Sequence, residues 1–223
     1  RLAFTSNRTG HNEIFSVSAE GNDVRQLTHT NADNYAPAWS PDGSQIAFHC
    51  NRDGNWELYL MNAADGSNLR RLTNNPGDDT DATWSPDGTQ IAFHSKRGGT
   101  DGVYVMNVTD PATVTRLSPD NLNSQDPAWS PDGQYIVFTV FKNKKPSLYL
   151  MNADGSNPHL LLGGNAGVDD QAAWSPDSHF IVFRSSRNGA VNLYIVDVDG
   201  QNLRQLTNVG ADNEFPTWQP EIG

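Results

Sequence analysis

The chain has 223 residues and a formal net charge of −11 at pH 7, although only 18% of its residues are charged. That balance excludes a nucleic-acid backbone as partner and suits a basic ligand, a cation or a neutral polymer. The single cysteine, Cys50, excludes an internal disulfide, and no apolar run approaches the length of a membrane span. No signal peptide is visible, and the chain opens inside a repeat, which leaves room for a leader or a neighbouring domain.

In chain order, Leu2-Ala3-Phe4 reads as a strand and Ile14-Phe15-Ser16-Val17 as the next, with a further strand ending at Leu27-Thr28. Ala36 to Ser40 is a short run ending in Trp39, followed by the turn signal Pro41-Asp42-Gly43. Gln45 to Cys50 and Trp56 to Asn62 are then strands. The Asp65-Gly66 dipeptide marks a hairpin, and Leu69 to Thr73 is the fourth strand of the unit. Four antiparallel strands meandering in this way make one propeller blade.

The unit recurs. Trp39-Ser40-Pro41-Asp42-Gly43 returns as Trp84-Ser85-Pro86-Asp87-Gly88, Trp129-Ser130-Pro131-Asp132-Gly133 and Trp174-Ser175-Pro176-Asp177-Ser178, with a truncated copy, Trp218-Gln219-Pro220-Glu221. The tryptophans lie 45, 45, 45 and 44 residues apart, a period that marks a repeat architecture. Third strands recur at Val103-Tyr104-Val105-Met106, Leu148-Tyr149-Leu150-Met151 and Leu193-Tyr194-Ile195-Val196; fourth strands end at Leu72-Thr73, Leu117-Ser118, Leu162-Gly163 and Leu206-Thr207.

The chain begins at a second strand and ends just after a first strand, Phe215 to Gln219, in step with the same period. This predicts an all-β, five-bladed propeller whose C-terminal strand joins the N-terminal blade and closes the ring. The blades are expected at 1–29 with 214–219, 35–74, 80–118, 125–163 and 170–208, as one domain. The recurring tryptophans are expected as core wedges between blades.

These motifs (Leu-Thr, an acid-containing loop, Trp-Ser-Pro-Asp-Gly, Ile-Ala-Phe, Tyr-x-Met-Asn and Asp-Gly) resemble the TolB-type β-propeller repeat over essentially the whole chain. The resemblance implies a periplasmic or extracellular protein that receives a partner's peptide segment at a central channel and, in some relatives, a metal ion. The same blades occur in peptidases, sugar-acid lyases and sensor ectodomains, so the resemblance speaks for fold more than for activity. TolB itself has six blades and a second domain, and five blades depart from it.

Residues shared by every blade are read as structural, and those that break the repeat as informative. The loop entering each innermost strand is acidic, and the expected fold gathers these loops at one channel mouth. The candidate ligand-binding residues there are Asp33, Tyr35, Asp79, Asp81, Asp126, Asp169, Asp170, Asp212, Glu214 and Phe215. Clustered oxygens suit calcium, so Asp81 and Asp126 are candidate metal ligands. The competing reading has these acids capping turns or pairing with Arg8, Arg52, Arg97 and Arg187. Three residues before each tryptophan stand Ala36, Asp81, Asp126, Gln171 and Phe215, so the mouth is expected to be aromatic on one side and acidic on the other.

Lys142, Lys144 and Lys145 read as a solvated basic loop. Trp56 either stacks on a sugar or packs against the next blade, and His49 and His94 read as hydrogen-bonded spacers between blades. The functional expectation is a non-catalytic, monomeric module that binds a peptide, protein segment or carbohydrate at the mouth, with calcium as the one candidate cofactor. Neither nucleic-acid binding nor membrane insertion is expected. The alternatives are a carboxylate-based hydrolase or lyase at the same mouth, and a structural or engineered ring without a native ligand. No Gly-x-Ser-x-Gly elbow, zinc-helix motif or phosphate loop is present to support nucleophilic or zinc-protease chemistry.

Overall fold

In a computed structural model of the protein, the Ser-Pro-Asp-Gly cassette closes as a turn whose hydrogen bonds explain its composition. Ser40 Oγ donates to Asp42 Oδ1 at 2.6 Å and accepts from the Gln45 amide at 2.9 Å, while Asp42 Oδ1 also accepts from the Ser44 amide at 3.0 Å. Gly43, at a φ of 69°, donates to Ser40 O at 2.9 Å. Ser85 and Asp87, Ser130 and Asp132, and Ser175 and Asp177 repeat the serine-to-aspartate bond. The turn residues are therefore local structure in these four copies.

The structure describes residues 1–143, 145–163, 167–208 and 212–218. Every regular element among them is a strand, in chain order β1 (Leu2–Ser6), β2 (Glu13–Val17), β3 (Arg25–Gln26), β4 (Asn34–Trp39), β5 (Gln45–Cys50), β6 (Glu57–Asn62) and β7 (Arg70–Arg71). There follow β8 (Asp79–Trp84), β9 (Gln90–Ser95), β10 (Gly102–Asn107), β11 (Val114–Arg116), β12 (Ser124–Trp129), β13 (Tyr135–Lys142), β14 (Lys145–Asn152), β15 (His159–Leu162), β16 (Asp169–Trp174), β17 (Phe180–Ser185), β18 (Asn192–Asp197) and β19 (Arg204–Gln205). They form five sheets in meander order: β1-β2-β3, β4-β5-β6-β7, β8-β9-β10-β11, β12-β13-β14-β15 and β16-β17-β18-β19.

The chain divides into two compact units, residues 1–99 with 105–115 and residues 100–104 with 116–223. In the first, β4 packs on β1 and β2, and β8 packs on β4, β5 and β6; in the second, β16 packs on β12, β13 and β14. Each unit has its own apolar core. Ile14, Leu27, Ile46, Phe48, Tyr59 and Met61 share one, and Val137, Leu150, Trp174, Ile181, Phe183 and Val196 share the other. Second-strand phenylalanines stack on third-strand tyrosines, Phe48 on Tyr59 at 5.8 Å and Phe183 on Tyr194 at 5.9 Å between ring centroids.

The tryptophans act as wedges. The indole of Trp84 donates to Ala38 O at 3.1 Å, that of Trp174 to Ala128 O at 3.0 Å and that of Trp218 to Ala173 O at 3.3 Å. Each bond ties a wedge to the innermost strand of the preceding blade. In these three the ring contributes apolar burial while its one donor is satisfied; the buried Nε1 of Trp129 has no such partner among the described residues.

Three expectations need correction. Fourth strands end before their Leu-Thr pairs: β3 and β7 hold two residues each. The Thr73 hydroxyl takes over the ladder, accepting from the Leu58 amide at 2.9 Å, and Thr28, Ser118 and Thr207 serve Ile14, Val103 and Leu193 alike. Where Gly163 replaces the hydroxyl, β15 runs on to Leu162, which pairs with Leu148.

Lys142 and Lys145 form no loop. They pair with each other at the end of the long β13–β14 hairpin, and Lys144 lies outside the described residues. Most of the acids assigned to entry loops, among them Asp79, Asp81, Asp126, Asp169 and Asp170, lie inside β8, β12 and β16. The first sheet holds three strands, and residues 212–218 carry no strand pairing, so closure is not seen as a ladder among the described residues; residues 219–223 lie outside them.

Candidate binding site

Three of the inner strands, β4, β8 and β16, open on a position pinned by an arginine of the same blade. In β8 this is Asp79, fully buried, whose Oδ2 accepts from Arg97 Nη2 at 2.6 Å; in β16 it is Asp169, whose Oδ1 accepts from Arg187 Nη2 at 2.8 Å and Ser185 Oγ at 2.6 Å. In β4 the position is Asn34, which accepts from Arg52 Nη2 at 3.2 Å. These guanidiniums also lie over aromatic rings of their own blades, Arg52 at 4.4 Å from Tyr59 and Arg187 at 4.8 Å from Tyr194. Burial pushes the Asp79 carboxyl upward, opposed by Ser95 and the Arg97 charge. Asp79 and Asp169 are thus tied into their blades, as the arginine-pairing alternative anticipates.

Asp33 is also structural. Its Oδ1 accepts from the Asn12 amide at 3.1 Å and from Asn12 Nδ2 at 2.8 Å, and those two bonds lower its proton affinity. Asp170 forms a bidentate pair with Arg184 (Nε to Oδ1 2.7 Å, Nη2 to Oδ2 2.6 Å), and Arg184 Nη1 also reaches Glu214 Oε1 at 2.5 Å. The Asp170 hydrogen bonds raise the guanidinium's proton affinity further. Asp212 is exposed.

Two residues into each inner strand the backbone breaks step. Ladder register shifts between Tyr35 and Ala38, Thr80 and Thr83, Gln125 and Ala128, and Asp170 and Ala173. The bulged residue is left-handed in each case: Ala36 at a φ of 49°, Asp81 at 54°, Asp126 at 50° and Gln171 at 53°, with Phe215 at 52° in the C-terminal segment. No glycine occupies this position, although a non-glycine residue here costs about 1–2 kcal/mol. The residue type differs at these five equivalent positions while the dihedral does not, so a constant strained frame carries variable side chains.

Beside the frame runs a second variable row, formed by the cross-strand partners on the second strands. Tyr35 faces His49, Thr80 faces His94, Gln125 faces Thr139 and Asp170 faces Arg184. In the first unit, four elements bring a cluster together around His49. Its ring lies 6.0 Å from Tyr35 and 5.2 Å from Trp56, Tyr35 and Trp56 meet at 5.6 Å, and His49 Nδ1 accepts from the Asp81 amide at 3.4 Å. Burial pushes the His49 imidazole downward, against the pull of Asp81. Thr80 Oγ1 donates to Asp81 Oδ2 at 2.8 Å and lies 3.0 Å from His94 Nδ1.

In the second unit, Gln171 Oε1 accepts from the Phe215 amide at 2.9 Å and leaves the Phe215 ring 75% exposed. The Asn213 amide donates to Val191 O at 3.2 Å, as Asn34 does to Asn12 O and Asp79 to Trp56 O in the first unit. Residues 212–218 therefore dock on the fifth blade with the hydrogen bonds and dihedrals of an inner strand.

Residues 30–220 match the model of the TolB beta propeller domain. The chain belongs to that family. It is 41% identical over 64 residues to a TolB homolog of Chlorobaculum tepidum, a stretch covering 29% of this chain and 15% of that protein. It is 35% identical over 60 residues to the Tol-Pal system protein TolB of Desulfosudis oleivorans, covering 27% of this chain and 14% of the relative. The crystal structure of TolB from Acinetobacter baumannii superposes with a TM-score of 0.85 at 24% identity, over 98% of this chain and 54% of the other. The chain spans only part of the length of these relatives.

Calcium takes six to eight oxygens, and among the described residues no three His, Cys, Asp or Glu side chains, Asp81 and Asp126 included, converge as a group that could hold an ion. The sequence reading passes over Arg184, takes His49 and His94 as hydrogen-bonded spacers, and leaves Trp56 between stacking on a sugar and packing against the next blade. The signal that could have found them is their shared offset: His49, His94, Thr139 and Arg184 each stand three residues after the recurring second-strand isoleucine.

Proposed function

We propose that the chain is a non-catalytic module that binds a peptide or protein segment through the variable rows of its inner strands. The observation that carries this reading is the strained left-handed position of each inner strand, held in one geometry while its side chain changes from Ala36 to Asp81, Asp126, Gln171 and Phe215. Backbone strain kept at constant geometry under varied side chains is a mark of recognition sites. Membership of the TolB family supports a protein partner and a periplasmic location for this reading. Within this reading the candidate contacts narrow to Tyr35, Asp81, Asp126, Asp212, Glu214 and Phe215, since Asp79 and Asp169 are tied into their own blades, Asp33 is bonded to Asn12 of the preceding blade and Asp170 to Arg184.

The reading includes a five-bladed ring in which residues 212–218 complete the first blade beside β1. The inner-strand bonds of Asn213 and Trp218 support it. A cysteine pair introduced at Thr217 and Ala3 tests closure: a crosslink under mild oxidation is expected, and its absence in folded protein removes the ring.

Binding is tested on peptide and glycan arrays with the full chain, followed by calorimetry. Reversible peptide binding without turnover, weakened at least about tenfold by Asp126→Asn or Phe215→Ser, is expected. Glycan binding in place of peptide binding, or cleavage of the bound molecule, overturns the reading.

A further inference from the structure

The corner around His49 joins aromatic rings to a carboxylate on one inner-strand face. We propose that Tyr35, Trp56 and Asp81 form a subsite for a cationic side chain, lysine or arginine, of the bound segment. This rests on the peptide-binding reading and specifies one element of the partner.

Tyr35 and Trp56 are both half-buried, and their planes meet at 61°, so the rings make a corner instead of consuming each other's faces in a stack. The negative ring faces attract a cation held within about 6 Å. Asp81 is anchored where it can complete the attraction. Its backbone is fixed by the bulge, its Oδ2 is engaged by Thr80, and its side chain is 38% exposed. Its Oδ1 has no hydrogen-bond partner among the described residues.

The neighbouring cations are held elsewhere. Lys96 Nζ sits 3.1 Å from Asp78, Arg97 is paired with Asp79, and Arg52 lies between Asn34 and the Tyr59 ring. His49, the hub of the corner, accepts a hydrogen bond through Nδ1, and burial lowers its proton affinity against the pull of Asp81. His94 Nδ1 stands 3.8 Å from Asp81 Oδ2 and 3.0 Å from Thr80 Oγ1, on the Oδ2 side of the carboxylate. A guest cation therefore meets two ring faces and a carboxylate acceptor.

The test follows the Trp56 indole N–H by heteronuclear NMR in the full chain, assigned by its disappearance in Trp56→Phe. The probes are the N-acetyl amides of lysine, arginine and norleucine, and cellobiose. The two cationic probes are expected to shift the Trp56 signal saturably, about fivefold more tightly than norleucine, and more weakly as sodium chloride is raised. Asp81→Asn should abolish that preference while the spectrum otherwise stays folded. Equal affinity for lysine and norleucine, a preference that survives Asp81→Asn, or a response to cellobiose alone overturns the proposal.

Peptide pairs differing only as lysine or norleucine separate this inference from the one it rests on. If peptides bind without a cation preference, the subsite fails and the peptide reading stands. If lysine amide binds at Trp56 while no peptide binds, the subsite stands and the peptide reading fails.

Discussion

Arg187 donates to Asp169 at 2.8 Å while its guanidinium lies 4.8 Å from the Tyr194 ring centre, so one side chain pins the first residue of an inner strand to the third strand of its blade. Asp169 is 1% exposed and Arg187 13%. Removing one partner of such a buried pair leaves an uncompensated charge and costs about 3–5 kcal/mol. Arg187→Ala is expected to fall in that range by urea denaturation. The fourth blade has lost both members together, with Ser124 at the acid position and Lys142 at the arginine position. The double variant Asp169→Ser/Arg187→Lys should therefore recover much of the loss, giving a coupling of about 2 kcal/mol in the double-mutant cycle.

Thr73→Val tests the hydroxyl that substitutes for a fourth-strand ladder. Thr73 Oγ1 accepts from the Leu58 amide at 2.9 Å and donates to the buried Glu57 at 2.6 Å, so an isosteric methyl orphans two buried groups at once. A loss of about 2–3 kcal/mol is expected, read from the denaturation midpoint with an unchanged m-value.

Gly66 and Ala36 should respond in opposite directions. A Cβ on Gly66 would stand 2.0 Å from Leu27 O at a φ of +73°, so Gly66→Ala meets both a clash with backbone and strain. A cost above about 2 kcal/mol is expected. Ala36 already sits at a φ of 49° with a Cβ, and Ala36→Gly should raise stability by about 0.5–1 kcal/mol. Thermal melts of the two variants beside the parent protein check both signs.

The turn aspartates should set the acid limb of the stability profile. Bonds from Ser40 and Ser44 lower the Asp42 carboxyl from the usual 3.8 to about 2, and Ser85 and Ser175 lower Asp87 and Asp177 in the same direction. For a carboxyl lowered on folding, the stabilisation is fully present above the unfolded value. It is lost as pH falls through the folded value, because the unfolded chain takes up the proton first. Stability should therefore decline between about pH 4 and pH 2. Urea melts across that window should show a shallower decline in the Asp42→Asn/Asp87→Asn/Asp177→Asn variant.

The repeat was legible because local chemistry wrote it. Pro41-Asp42-Gly43 can do little but turn, Ile46-Ala47-Phe48 has the pattern of a buried strand, and Asp65-Gly66 supplies the positive φ of a hairpin. Blade number, strand order and the wedge tryptophans follow from these short-range rules applied at a constant period. The ends of the fourth strands were misjudged because Thr28 and Thr73 look like strand residues in one dimension. Their hydroxyls cap the neighbouring strand in three.

The acids were harder to sort for the same reason. Asp79 and Asp81 stand two residues apart and look alike along the chain, yet one is buried under Arg97 and the other stands half open on a bulge. A strand's alternation would place them on one face, but the left-handed residue at 81 breaks that alternation. Repeat, strand content and family were set by contacts within a few residues or one period. Which carboxylates are committed to the blade and which stay open depends on contact with a guanidinium 18 residues away and on one backbone dihedral; the arginine is visible as a residue type, but its choice of acid and the dihedral are not.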